Sequence, residues 1–175
     1  MTIYTVGHST RTLAELGAIL RAHAIDELVD VRSIRRSRTN PQFNEARLRA
    51  YLGRHDIRYR VIPALGGRRP KPRTPPKYMN DAWQHRAFRN YADHAETAEF
   101  REGLAKLIAL AKRRRVAIMC SEAVWWRCHR RIITDHLLAH HVPVVLLMSQ
   151  PASTVATPTP FAVIRRGRVH YPATG

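Results

Sequence analysis

The sequence predicts an α/β fold: a single domain built on a mostly parallel five-stranded sheet flanked by helices, with a C-terminal hairpin. Three observations carry this. Short β-branched and aromatic runs alternate with longer segments of helical periodicity over the first 148 residues. The first strand–helix–strand series has the spacing of a βαβ unit, which implies parallel strands and a right-handed crossover. The 175 residues, 45% of them hydrophobic, suffice for one real core. Residues 1–150 read as the α/β domain. Residues 151–175 read as a Pro/Thr-rich connection and terminal hairpin, part of the same domain or a tail.

Residues 3–7 form the first predicted strand. Thr12 and Glu15 make a capping box, and Leu13, Leu16, Ile19 and Leu20 follow at helical spacing, so residues 12–23 read as an amphipathic helix. Residues 27–32 are the second strand. The polar, arginine-bearing stretch 33–42 is a loop, and Asn44 is placed to cap a helix reaching about residue 55. Residues 58–65 are the third strand, closed by Gly66 and Gly67. Residues 68–77 hold four prolines and five basic residues and read as an extended basic loop. A short helical segment spans 81–91 and a stronger helix 97–114. The fourth strand is 116–120, a helix follows over 128–141, and 143–148 is the fifth strand. Residues 151–160 are a connection, and 161–164 with 169–171 make the hairpin.

No stretch approaches the ~20 apolar residues that span a bilayer, and the N-terminus lacks a basic segment followed by an apolar one. Two cysteines without an export signal imply free thiols in a reducing cytoplasm. The expected location is therefore cytoplasmic, with no membrane association. Lys and Arg total 30 against 13 acids, a net charge of +17. Lysine stands only at 71, 77, 106 and 112, so arginine supplies 26 of the 30. Such a field attracts polyanions, which makes nucleic acid or a nucleotide the expected partner, against a merely solvated basic surface.

The polar motifs fall at strand ends: Gly7-His8-Ser9, Asp30-Val31-Arg32, Gly66-Gly67-Arg68 and Cys120-Ser121-Glu122, the last followed by Cys128-His129-Arg130. In a parallel sheet these ends share one edge, so the four motifs meet in one crevice. Taken with Asn40-Pro41-Gln42-Phe43-Asn44 and Phe88-Arg89-Asn90-Tyr91-Ala92, the ordered series over about residues 3–148 resembles the domain-of-unknown-function 488 family. The resemblance implies an α/β domain in which these motifs form one site. It implies no particular reaction.

Each residue type suggests a role. Glu122 is the candidate general acid or base. Cys128, at a helix N-terminus among arginines, is a candidate nucleophile, with His8 or His129 as its base. Asp30 is a candidate catalytic carboxylate or a group that orients Arg32. Arg32 and Arg130 suit bidentate contact with a phosphate or carboxylate. Ser9 beside His8 can hold an anion, and Gly66 and Gly67 allow close backbone approach. Arg36 and Arg68 lie in the loops suited to phosphate-backbone contact. Trp125, Trp126, Tyr78, Trp83 and Phe88 are the aromatics available to stack on a base.

Cys120, Cys128 and His129, with Glu122 or His8, can also surround zinc. Their spacing differs from the tight pairs of common zinc sites, so no metal or cofactor is assigned. Both cysteines are equally readable as small core residues. The leading expectation is an enzyme acting on, or binding, a phosphate-bearing substrate. The alternatives are a non-catalytic nucleic-acid-binding module and a metal- or thiol-dependent protein.

Overall fold

The computed structural model describes residues 1–74, 79–149 and 152–173. Five strands run parallel: β1 (Ile3–Gly7), β2 (Glu27–Asp30), β3 (Arg58–Val61), β4 (Val116–Cys120) and β5 (Val144–Leu147). A sixth, β6 (Ser153–Val155), pairs antiparallel with β5 and gives a mixed sheet of order β3-β2-β4-β1-β5-β6. The expected five-stranded sheet is thus six-stranded. All three residues of β6 are exposed, so it is held by edge pairing and not by burial. A strand without a buried face leaves no hydrophobic alternation to read.

β3 ends at Val61, earlier than expected, and residues Pro63–Leu65 coil into a 3-10 turn. Proline lacks the N–H that a continuing ladder requires. The hairpin forms from β7 (Val163–Arg165) and β8 (Arg168–His170) as a separate two-stranded sheet. Arg166 and Gly167, with φ of 50° and 75°, make its two-residue turn, and positive φ at both positions is the type I′ pattern.

Among the described residues five α-helices cover the sheet: α1 (Leu13–Ala22), α2 (Glu45–Gly53), α3 (Arg86–His94), α4 (Ala98–Ala111) and α5 (Arg130–Ala139). The Thr12–Glu15 capping box forms, and Thr97 caps α4 through its side chain. Asn44 makes no side-chain cap. Its Oδ1 instead accepts the Ser37 N–H at 2.7 Å, tying the arginine-bearing loop to the start of α2. No helix among the described residues is long and apolar enough to cross a membrane.

Alternate residues along each central strand face opposite layers. Val6, Leu28, Ala117 and Met119 pack with Leu16 and Leu20 of α1 and Leu48 and Leu52 of α2. Ile3, Val29, Val116 and Ile118 pack with Tyr91 of α3, Phe100, Leu104 and Leu107 of α4, and Ile132, Ile133 and Leu137 of α5. Each Val, Leu, Ile, Phe or Met among them, fully buried, contributes about 1.5–3 kcal/mol, which makes these two layers the main stabilising force.

The layering positions the site. β1 and β4 are neighbours, yet β1 leads through α1 to β2, and β4 leads through α5 to β5. The two crossovers lie on opposite faces of the sheet. Diverging connections leave a gap above the C-terminal ends of β1 and β4, the place where open α/β sheets take ligands.

Candidate functional site

That gap is a crevice of about 870 Å³. Of the residues singled out from sequence, His8, Arg32, Arg36, Gly67, Arg68, Cys120, Glu122, Cys128 and His129 line it. Ser9, Asp30, Gly66 and Arg130 do not; they lie beside or beneath it. The β1–β4 pairing continues past the strand ends, with the His8 N–H on the Cys120 carbonyl and the Ser9 N–H on the Ser121 carbonyl, both at 2.9 Å. Gly7 is required there, because a Cβ would overlap the Glu122 carbonyl.

His129 occupies the floor. Its Nε2 donates to the Val31 carbonyl at 2.9 Å, so in the neutral ring the lone pair resides on Nδ1. Nδ1 lies 3.5 Å from the Cys128 sulfur and 3.9 Å from the Cys120 sulfur. Tyr91 packs against the ring at 4.9 Å between centroids. Gly67 passes so close that any Cβ would overlap Nδ1.

The two buried thiols are driven apart. Burial disfavours ionisation of Cys128. The Cys120 thiol, the charge of Arg130 and the Arg130 backbone N–H outweigh it and draw Cys128 down to about 6. Cys120, a free thiol hydrogen-bonded to Cys128 and buried, is pushed up to about 12. Such a trio can attack an electrophile through Cys128 or ligate a cation through all three atoms.

His8 is arranged differently from a free base. Its Nδ1 donates to the Ser9 carbonyl at 2.7 Å, and its Nε2 accepts from Arg32 Nη1 at 3.3 Å. The ring stacks on Phe43 at 4.2 Å. Burial lowers its pKa to about 4, so it is neutral at physiological pH with its lone pair directed at a guanidinium.

Asp30 supports Arg32. Its carboxylate accepts from the Arg32 backbone N–H, from Arg32 Nε and Nη2, and from the Tyr59 hydroxyl at 2.6 Å. Arg32 Nη2 also reaches the Phe43 carbonyl, leaving Nη1 toward His8. Arg130 is likewise internal. It is 1% exposed, donates to Thr5 Oγ1 at 2.9 Å and to the Glu122 carbonyl, and so fixes the β4–α5 loop from below. Its guanidinium faces the core because β1 and the Glu122 loop offer acceptors there.

Other arginines remain at the crevice. Among the described residues, no hydrogen bond or ion pair engages the guanidinium of Arg36, Arg68 or Arg127, all exposed and all lining it. Arg35 and Arg69 are tied up by Glu45 and Glu99. Among the described residues Glu122 is the one acid lining the crevice; its Oε1 accepts the Val124 N–H at 3.2 Å.

Of the aromatics, Phe88 lines the crevice and Trp126 is 49% exposed. Trp83 is core, enclosed by Phe88, Phe161 and Tyr171, which removes it as a stacking surface. Tyr78 and Lys77 lie outside the described residues. Ser121, Arg127 and His85 also line the crevice and were not among the expected binding residues. Arg127 was legible as part of the Cys128 cluster. His85 comes from the N-terminal end of α3, whose approach to the crevice no local pattern announces.

Fold and site together define a single α/β domain with a thiol–imidazole centre under an arginine rim at a topological switch point. The family described as "Domain of unknown function DUF488" matches residues 12–137, and the chain belongs to it. The match is narrower than the resemblance over residues 3–148, leaving β1 and β5 outside it. No curated protein and no solved structure matches the chain.

Proposed function

We propose that this protein is an enzyme acting on a phosphate-bearing substrate, a nucleic acid or a nucleotide, bound in the crevice at the strand C-terminal ends. The carrying observation is the crevice lining itself: Arg36, Arg68 and Arg127, with no internal partner among the described residues, line the same crevice as the Cys128–His129 centre. Unpaired guanidiniums on a concave wall suit phosphate oxygens bidentately, and the net charge of +17 steers polyanions toward them.

In this reading Arg36, Arg68 and Arg127 hold the phosphate groups. Arg32, braced by Asp30, orients His8 at the inner wall. Glu122 transfers protons at the rim, and Cys120, Cys128 and His129 form the reacting centre. Phe88 and Trp126 offer faces to a base.

The test is a panel of single-stranded DNA, RNA and nucleotides, assayed for binding and for conversion with the purified chain and with Glu122→Gln. Binding of at least one such compound is expected, with conversion lost and affinity retained in Glu122→Gln. Absence of binding across the panel overturns the reading, and unchanged conversion in Glu122→Gln overturns the role of Glu122.

A further inference from the structure

We infer that Cys120, Cys128 and His129 bind a zinc ion, with the fourth coordination position facing the crevice. The case begins with geometry. Ligands on one tetrahedral zinc, with Zn–S of about 2.3 Å and Zn–N of about 2.0–2.1 Å, stand about 3.6 Å apart for S···N and about 3.8 Å for S···S. The S···N separations here are 3.5 and 3.9 Å, and all three donor atoms lie within 4.8 Å of one another. The side chains are therefore arranged for a shared ion without rebuilding of the backbone.

The surroundings point the same way. A zinc-bound histidine commonly donates its other ring N–H to a carbonyl, which fixes the tautomer and aims the free lone pair at the metal. His129 Nε2 does this to Val31, and the aimed Nδ1 meets the two sulfurs. Gly67 leaves room beside that nitrogen, where any side chain would intrude. The eight-position separation of the cysteines, unlike that of a tight zinc knuckle, follows from the fold: Cys120 ends β4, and Cys128 precedes α5 across a 3-10 turn at Trp125–Arg127.

Two cysteines and one histidine, all lining the crevice, match the catalytic pattern of three protein ligands with one position for water or substrate. This inference rests on the proposed function for its use and deepens it: zinc supplies a Lewis acid and a water of lowered pKa beside Glu122, among arginines that hold phosphate.

Elemental analysis of the purified full chain, followed by cobalt substitution, tests it. About one zinc per chain is expected, and the cobalt form should show thiolate-to-metal charge-transfer and tetrahedral d–d absorption. Cys120→Ser, Cys128→Ser and His129→Gln should each lose most of the metal, with Glu122→Gln retaining it; circular dichroism establishes that each is folded. A wild-type chain that takes up neither zinc nor cobalt in competition with a chromophoric chelator overturns the inference, as does a folded Cys128→Ser with unchanged affinity. Absent metal with intact binding of phosphate-bearing compounds defeats the zinc site alone. Bound metal without such binding defeats the proposed function alone.

Discussion

His129 and Val31 are joined by a 2.9 Å hydrogen bond from the ring Nε2 to the backbone carbonyl, and that bond decides which nitrogen meets the thiols. Val31 follows β2 and His129 precedes α5, so the contact also ties together two distant parts of the sheet edge. Replacing His129 by Ala leaves the Val31 carbonyl without its partner and removes packing on Tyr91. A stability loss of about 1–3 kcal/mol is expected from the unsatisfied carbonyl. Urea denaturation measures it; an unchanged midpoint contradicts the structural role.

Gly67→Ala probes the same ring from the other side. The added methyl overlaps His129 Nδ1, which must then move away from both sulfurs. Overpacking of this kind costs about 1–3 kcal/mol. Gly53→Ala is the control: it sits at the end of α2, where a methyl meets nothing within 4 Å. Its expected effect is neutral to stabilising by about 0.5–1 kcal/mol. Thermal melts should show Gly67→Ala lowered and Gly53→Ala equal to or above the wild type.

The thiol pair sets a pH signature, measurable on chelator-treated protein. Cys128, at about 6 in the fold, has a pKa below its unfolded value, so its contribution is complete above the unfolded pKa and is lost as pH falls toward 6. Cys120, at about 12, keeps its proton in the fold while the unfolded chain gives it up. Stability therefore declines as pH rises from the unfolded thiol value toward 12. Stability attributable to the pair should peak near the ordinary thiol pKa of about 8.5. Alkylation by iodoacetamide, read by peptide mass, should modify Cys128 first, with a rate rising through pH of about 6. Preferential modification of Cys120 contradicts the assignment.

Much of this was legible in the chain. The apolar runs at 3–7 and 116–120 are long enough and buried enough on both faces to declare themselves, and the Thr12–Glu15 box marks α1 to the residue. The meeting of His8, Arg32 and Cys120 followed from parallel strands alone. What sequence does not carry is direction. Arg130 and Arg36 are the same residue type near the same crevice. One turns inward because Thr5 and the Glu122 carbonyl offer acceptors from below, and the other stays outside. Asp30 reads in sequence as a catalytic carboxylate or as a group that orients Arg32, and only the structure shows Arg32 and Tyr59 donating to its oxygens. β6 was missed because an exposed edge strand has no buried face to show.

The inward turn of Arg130 has a consequence for mutagenesis. Arg130 is the largest fully buried side chain among the described residues, and truncation to Ala leaves a cavity and two unpaired acceptors. A loss of about 2–5 kcal/mol is expected. Inactivity of Arg130→Ala would thus report the fold. Differential scanning calorimetry distinguishes the two roles: a melting temperature equal to that of the wild type contradicts the assignment of Arg130 as internal support.

The most direct test of the arginine crevice is the salt dependence of affinity for a labelled single-stranded oligonucleotide, followed by anisotropy in the wild type and in Arg36→Ala/Arg68→Ala/Arg127→Ala. Each phosphate contact on a single strand contributes about 0.7 to the slope of log affinity against log salt, so losing three should flatten it by about 2. The crevice reading predicts that flattening, together with weaker binding at low salt and an unchanged fold. Equal slope and equal affinity in the two proteins would contradict it.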